Sequence, residues 1–423
     1  MQLWQAAEMR SPLNVLHGLP APVRKVMYGI ALNATGGGLT LSLFMVYLTT
    51  IRGISAQTVG FVLAWEAVVG LAVSAPIGAL IDKLGPVRVM LPGIVAQAIG
   101  VTCISLVSNT AQLIAVATLT SITGASIWPS QSTLVAQLTE PDERDRAFGL
   151  SFMMLNLGFG IGGVLGSLIV RDGDLGRFQW LYRVDGLTYL CLAVAVWLVR
   201  SHAHEVHAAI ERTENPGGYG VVLRDRRVWI MLIGGVVMFT CGYGAINTGV
   251  PLFAIDYAHL SVRWLGVIFG FNTFVIVVLQ PFVIQWVKGR SRSVMASLVG
   301  FTWAASWIVL GSASFMLPVV MLSLAQVVFA FGETLWAPVG PAIVNAMAPD
   351  ELRGRYNAVF GLQWGISGMA GPALTGTMFA HGLGNAWWML MALGTFVGGL
   401  LILRLRRELD PVTDGRVAES AHD

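Results

Sequence analysis

Residues 124–146 read GASIWPSQSTLVAQLTEPDERDR, and residues 332–355 read GETLWAPVGPAIVNAMAPDELRGR. The two stretches agree at a shift of about 208 residues. Gly124-x-x-x-Trp128 returns as Gly332-x-x-x-Trp336, and Pro141-Asp142-Glu143 returns as Pro349-Asp350-Glu351. A basic pair follows each loop, Arg144/Arg146 and Arg353/Arg355. Glycine-rich apolar runs come next: Gly158-x-Gly160-x-Gly162-Gly163-x-x-Gly166 in one copy, Gly365-x-x-Gly368-x-x-Gly371-Pro372-x-x-x-Gly376 in the other. One such match is a coincidence; matches in register across loops and flanking runs predict two copies of one structural unit. Parallel halves related by an axis along the membrane normal are an architecture of secondary transporters.

Composition supplies the membrane. The 423 residues are 55% hydrophobic and only 12% charged, with a mean hydropathy of +0.70. A soluble domain carries roughly 25% charged residues. Soluble enzymes, nucleic-acid binders and disulfide-stapled secreted scaffolds are therefore excluded classes. Cys103, Cys191 and Cys241 each lie in an apolar run, with no CxxC or Cys/His cluster, and read as small core hydrophobes.

A spanning helix takes about 20 apolar residues. Apolar runs bounded by charges and turn residues predict twelve spans: 25–51, 57–81, 87–108, 112–137, 146–170, 178–200, 228–255, 263–287, 293–313, 316–346, 355–380 and 385–404. With these spans, 21 of the 26 Lys and Arg residues fall on the side of the N-terminus and 5 on the other. That asymmetry places both termini in the cytoplasm and supports an even number of spans near twelve. Residues 1–22 carry Glu8, Arg10 and three prolines without a separate apolar core, so no signal peptide is expected. The longest hydrophilic stretch, 201–227, carries His202, His204 and His207 and reads as a solvated cytoplasmic linker. It divides an N-terminal six-helix bundle (1–200) from a C-terminal one (228–405). The tail, 406–423, carries Glu408, Asp410, Asp414, Glu419 and Asp423 and reads as disordered.

At the loop after span two the chain reads Gly78-Ala79-Leu80-Ile81-Asp82-Lys83-Leu84-Gly85-Pro86-Val87-Arg88. This resembles the cytoplasmic loop signature of the major facilitator superfamily, Gly-x-x-x-Asp-x-x-Gly-x-x-Arg/Lys, and with the repeat the resemblance covers essentially the whole chain. It implies an all-α membrane protein with twelve transmembrane helices in two six-helix bundles. In physical terms Gly78 permits close helix contact, Gly85 permits a tight turn, and Asp82 can pair with a cation or a helix N-terminus. A latch of that kind would be made in one transport state and broken in another, with Gly78, Asp82, Gly85 and Arg88 as the cytoplasmic gate motif. Span five is similar to the antiporter motif Gly-x-x-x-Gly-Pro-x-x-Gly-Gly at Gly158, Gly162, Gly163 and Gly166. It has Gly163 in place of proline and Ser167 in place of the last glycine. Span eleven keeps Gly371-Pro372. Small residues at this spacing serve helix packing first. The resemblance points to the multidrug-efflux, drug:proton antiporter subgroup. Relatives of that kind often carry an arginine in span four and an acid in span one; this chain has neither, and span one offers Asn33, Thr35 and Thr40.

Ionisable residues at membrane depth are functional candidates by default. Glu66 in span two and Glu333 near the middle of span ten lie well inside apolar runs. Each is a candidate for proton and substrate coupling, against the alternative of a carboxylate held by a neighbour's hydrogen bond. Arg183 and Asp185, near the predicted start of span six, and Asp256, at the end of span seven, read as interfacial, the first two as a surface pair. Candidate cavity residues are Asn33, Trp65, Gln131, Tyr243, Asn247, Asn272, Trp336 and Trp364. Abundant Met and aromatic side chains suit loosely specified lipophilic ligands, and equally suit lipid-facing surfaces.

No Gly-x-x-x-x-Gly-Lys-Ser/Thr, His-Glu-x-x-His or Gly-x-Ser-x-Gly occurs, so neither ATP hydrolysis nor an enzyme is expected. The expectation is a monomeric, proton-coupled secondary transporter of the plasma membrane, without cofactor or metal. It would export lipophilic or amphipathic small molecules by alternating access. Two other readings stay open: proton-coupled uptake of a nutrient or metabolite, and a membrane sensor that moves nothing.

Overall fold

A computed structural model describes residues 18–41, 43–170, 174–209, 218–260 and 263–416. Among the described residues all regular structure is helical. The long helices are α1 (Ala21–Leu41), α2 (Ala56–Leu84), α3 (Pro86–Ile104), α4 (Thr110–Gln137), α5 (Arg144–Ile169) and α6 (Leu175–Leu198), then α7 (Arg226–Asp256), α8 (Arg263–Val287), α9 (Arg292–Ser312), α10 (Pro318–Met347), α11 (Arg353–Ala380) and α12 (Gly384–Leu403). Among the described residues ten helices are long and apolar enough to cross a membrane. The long helices outside that set are α1 and α11, which are diluted by Gly, Ser, Thr, Asn and Gln. Large apolar side chains lie bare on the surface, among them Phe61, Leu168 and Phe274, each more than 60% exposed. Such surface is favourable in lipid and costly in water.

The boundaries follow local chemistry. Side chains of Ser55, Asn109, Asp174, Asp225 and Ser291 accept from backbone N–H groups at the starts of α2, α4, α6, α7 and α9. Gly85 turns the chain from α2 into α3 at φ +87°, with Pro86 opening the next helix.

Four sequence expectations change. The first predicted span does not run unbroken to residue 51. After α1 come Phe44–Val46 and a π-type turn, Tyr47–Ile51. Arg52 pulls that turn in, donating to the Tyr47 hydroxyl at 2.8 Å and the Ser105 carbonyl at 2.5 Å. Helix α7 is interrupted at Gly242, where a Cβ would lie 2.4 Å from the Trp303 ring. Helix α6 starts at Leu175 rather than 178, because Asp174 caps it by accepting from Arg177 N at 3.1 Å. The tail is ordered as far as Arg416, for reasons given below, while residues 417–423 lie outside the described residues. Of the stretch 201–227, short helices occupy Arg200–Ala209 and Tyr219–Arg224, and residues 210–217 lie outside the description.

The chain forms two compact units. The first comprises Met1–Glu140, Leu150–Gly218 and Pro349–Ala358; the second comprises Pro141–Gly149, Tyr219–Ala348 and Val359–Asp423. Within the first, α1 packs on α6, α3 on α4 and α6, and α2 on α4. Within the second, α7 packs on α12, α9 on α10 and α12, and α8 on α10. Every pair of the first set has its counterpart in the second, as the sequence repeat requires.

Glycine seams repeat as well. In the first unit a Cβ at Gly158, Gly162 or Gly166 would stand 2.5, 2.0 or 2.6 Å from a backbone oxygen of α1. The spacing of four residues keeps these glycines on one face of α5. Gly163 lies off that face: a Cβ there meets only the Gly38 carbonyl, at an ordinary 3.9 Å. In the second unit, a Cβ at Gly371 would be 2.3 Å from the Gly244 backbone of α7. Gly162→Val is therefore expected to force α1 and α5 apart at a cost of about 1–3 kcal/mol. Thermal unfolding in detergent measures it, with near-neutral Gly163→Ala as the comparison.

Candidate functional site

Polar groups gather in three places within the apolar helices. The first surrounds Glu333 in the second unit. Helix α10 carries Glu333, buried at 7% exposure. Asn272 on α8 donates to its Oε2 at 2.5 Å. The Tyr243 hydroxyl, one residue past the break at Gly242, also hydrogen-bonds to Glu333. Gln280 Nε2 ties α8 to α10 by donating to the Thr334 carbonyl at 3.1 Å. Aromatic rings surround Tyr243: its centroid lies 4.9 Å from Trp303, 4.8 Å from Trp364 and 5.2 Å from Phe239. Phe239 in turn meets Trp336 at 4.9 Å. Among the described residues no Lys, Arg or His is ion-paired with Glu333. Four predicted residues, Asn272, Tyr243, Trp336 and Trp364, thus join Glu333 in one cluster.

The repeated Gly/Trp motif does different work in the two halves. Gly332 leaves room for Trp303, whose Nε1 would be 2.5 Å from an added Cβ, and Trp336 is buried at 4%. Gly124 has open space and Trp128 is 62% exposed.

The second place is Glu66, half-buried on α2 in the first unit. Thr120 donates to its Oε1 at 3.1 Å, and Ser121 donates to its backbone carbonyl at 2.5 Å. One turn of α4 away, Thr118 accepts from Trp65 Nε1 at 2.8 Å. Trp65 also lines an apolar groove of about 430 Å³ with Phe61, Val62, Thr58, Thr110 and Ile114.

The third place is one that sequence reasoning misjudged. Asp185 is not half of a surface pair. Arg183 is exposed, while Asp185 is 4% exposed and accepts from the Thr40 hydroxyl of α1 at 2.8 Å. One signal was Asp174: as a cap three residues ahead of Arg177 it starts α6 at Leu175, so that Asp185 lies ten rather than seven residues into the helix. Asn33, another predicted residue, sits nearby within hydrogen-bonding reach of Tyr189, as does Gln97. Gln131 is half-buried on α4 and Asn247 is exposed on α7; neither joins these clusters.

The loop signature builds a compact contact in the first unit. Asp82 Oδ1 accepts from Gly354 N at 2.5 Å; Oδ2 accepts from Arg355 N at 3.2 Å and from its guanidinium at 3.0 Å. Both a cation and a helix N-terminus thus hold the carboxylate, whose side chain is 4% exposed. The Gly78 carbonyl lies against Gly354, where a Cβ would approach to 2.5 Å. Arg88 is exposed on α3, and the cation that Asp82 meets is Arg355. Asp82→Asn keeps an acceptor for Gly354 N and removes the charge pairing. It is expected to weaken this contact by about 1.5–3 kcal/mol, read as a lower unfolding midpoint and an altered transport rate.

In the second unit the charges are exchanged. Arg292, at the start of α9, bonds Asp145 of α5 through Nε at 2.9 Å and Nη2 at 3.0 Å. Its Nη2 also reaches the Pro141 carbonyl at 3.2 Å, and its Nη1 the Thr413 carbonyl at 3.1 Å. The tail closes over this pair. Asp414, fully buried, accepts from Ser293 N at 2.8 Å, Ser291 Oγ at 2.6 Å and Arg416 Nε at 2.9 Å. Those bonds order residues 409–416, against the expectation of disorder.

Among the described residues no group of three or more His, Cys, Asp or Glu side chains is placed to hold a metal ion.

Two repeated helical units and, among the described residues, ten apolar helices of membrane-crossing length with carboxyls buried inside them fit a polytopic membrane transporter. Residues 26–323 match the Major Facilitator Superfamily, and the chain belongs to that family. A relative is the multidrug resistance protein MdtH of Cronobacter sakazakii, 26% identical over 382 residues, with 86% of this chain and 90% of that one covered. Another is a Na(+), Li(+), K(+)/H(+) antiporter of Planococcus maritimus, 22% identical, with 75% and 80% covered. Among solved structures, a bacterial homologue of the iron transporter ferroportin in an outward-facing state superposes with a TM-score of 0.78. It is 10% identical and the match covers 92% of this chain and all of that one; this similarity concerns the fold.

Proposed function

We propose that this chain is a proton-coupled secondary transporter that exports lipophilic or amphipathic small molecules by alternating access. The observation that carries the reading is Glu333: a carboxyl buried at mid-helix, held by Asn272 and Tyr243, without a cation partner among the described residues. Ionised and uncompensated, such a group is costly in a membrane interior; a proton neutralises it, and an organic substrate bound among the neighbouring rings competes with that proton. Glu66, on α2 of the first unit, is the second candidate carboxyl. The resemblance to MdtH, a multidrug resistance protein, supports export, and the resemblance to a cation/proton antiporter supports exchange against protons.

The proposal includes twelve spans, with bundles at 1–200 and 228–405 joined by a cytoplasmic linker at 201–227. It also includes a cytoplasmic tail from 406, both termini inside, the plasma membrane, and a monomer needing neither ATP nor cofactor. Asp82 serves as a latch that opens during the cycle. The test is flux in proteoliposomes loaded with a lipophilic dye. Substrate should move against an imposed pH gradient and stay put without one. Movement in the same direction as protons would instead establish uptake by symport, and no flux under any gradient would overturn transport itself.

A further inference from the structure

We propose that Asp185 is a separate proton-binding site of this chain, built between α1 and α6 of the first unit and distinct from Glu66 and Glu333.

Its position comes first. Asp185 follows Leu175, the first residue of α6, by ten residues, a rise of about 15 Å. That is half the roughly 30 Å thickness of a hydrocarbon core. At this depth the carboxyl is 4% exposed. Among the described residues it has no ion pair, and the only arginine beside it in sequence, Arg183, points to the surface. An ionised carboxylate without a counter-charge costs several kcal/mol there.

The two oxygens are treated differently. Oδ2 accepts from the Thr40 hydroxyl at 2.8 Å. Oδ1 is buried without a hydrogen-bond partner. The Thr188 hydroxyl lies within hydrogen-bonding reach of the carboxyl as well, but its single hydrogen goes to the Asp185 backbone carbonyl at 2.7 Å. A proton on Oδ1 removes the charge and turns that oxygen into a donor, for which the Thr188 hydroxyl oxygen beside it is an acceptor. A metal cation would need several more oxygens around Oδ1. What stands there instead is Gly36: a Cβ on it would lie 2.9 Å from Oδ1 and 2.0 Å from Thr188 Oγ1. On the other side, Gly186 lets the Ala98–Thr102 turn of α3 approach, with Thr102 Oγ1 2.1 Å from an added Cβ. The site is a tight slot that admits a proton and no ligand shell.

The surrounding ionisable groups leave Asp185 as the titrating member. Its own helix presents the phenols Tyr182 and Tyr189 and the exposed Arg183. Helix α1 carries Arg24, Lys25 and Tyr28 near its start, far along the helix from Thr40, and α3 carries Arg88 in its first turn and Cys103 in its last. Tyr47 packs on Tyr182 at 4.9 Å between ring centroids, and Arg52 is bonded to Tyr47. Proton loss puts a negative charge into the tight contact of α1 with α6 at Gly36 and Thr188, and the contact must then hydrate or part.

Proton binding here needs no substrate, so it can be read apart from transport. The experiment is pH-difference infrared spectroscopy of the protein in lipid vesicles, without substrate, in a Glu66→Gln/Glu333→Gln background that silences those carboxyls. The expected result is a titrating carboxylic-acid carbonyl band that Asp185→Asn abolishes and Thr40→Val shifts in frequency. The Thr40 variant keeps the test informative where the Asp185 variant fails to fold. A band unchanged by either substitution overturns the proposal, as does loss of the band on adding sodium at fixed pH. Should dye flux prove independent of pH gradients while this band persists, the antiport reading fails and Asp185 stands.

Discussion

Glu333→Gln is expected to reduce pH-gradient-driven flux to that of empty vesicles. Gln keeps the size of the side chain and an oxygen for Asn272, which donates at 2.5 Å in the parent protein. It removes the one property the mechanism needs, a proton that can leave. Packing should survive, because the aromatic rings around Tyr243 and the Gln280–Thr334 bond do not depend on charge. Two measurements separate these effects: thermal unfolding, which should change little, and flux, which should vanish. Downhill exchange of substrate across the membrane should persist, since Trp336, Trp364 and Tyr243, the proposed binding rings, are unchanged. Glu66→Gln makes the comparison. If both variants transport normally under a pH gradient, neither carboxyl carries the proton.

The largest loss of stability is expected from Arg292→Ala. Its guanidinium joins the Asp145 carboxylate, the Pro141 carbonyl and the Thr413 carbonyl, and the residue is only 4% exposed. Truncation leaves Asp145 buried beside unpaired carbonyls. Removing one partner of a buried ion pair costs about 3–5 kcal/mol. The unfolding midpoint in detergent should fall accordingly, and the double variant Arg292→Ala/Asp145→Ala should recover part of it, since the stranded charge is then gone. A midpoint unchanged by Arg292→Ala would show that the pair contributes nothing net. Asp414→Ala, which leaves the Arg292–Asp145 pair intact but releases the tail from Ser291 and Ser293, should give a smaller loss.

The helical class, the repeat and the membrane were legible because they rest on period and composition. A stretch such as 61–81 is apolar whatever it touches, and Pro141-Asp142-Glu143 matches Pro349-Asp350-Glu351 without any fold. Glu333 was legible as a charge in an apolar run. Its partners were partly so: Asn272 and Tyr243 were named as polar residues at depth, but nothing in one dimension brings α8 and the break in α7 to the same point of α10. Gly163 shows the opposite error. It belongs to a glycine motif by spelling, yet only Gly158, Gly162 and Gly166 share the helical face that meets α1.

Asp185 and Asp414 mark the boundary between the two kinds of knowledge. By itself the sequence determined a helical, membrane-embedded chain of two related halves, because hydrophobic runs, basic loops and repeated motifs act locally and additively. Whether a given charge is buried, and with what, was decided by tertiary structure. Burial is a property of neighbours far apart in the chain: Thr40 for Asp185, Ser291 and Ser293 for Asp414, Arg355 for Asp82. Seven residues into a predicted span, Asp185 read as interfacial; ten residues into α6 and packed on Thr40 of α1, it is buried. A capping residue sets where a helix begins, and the helices packed around it decide which of its side chains are buried.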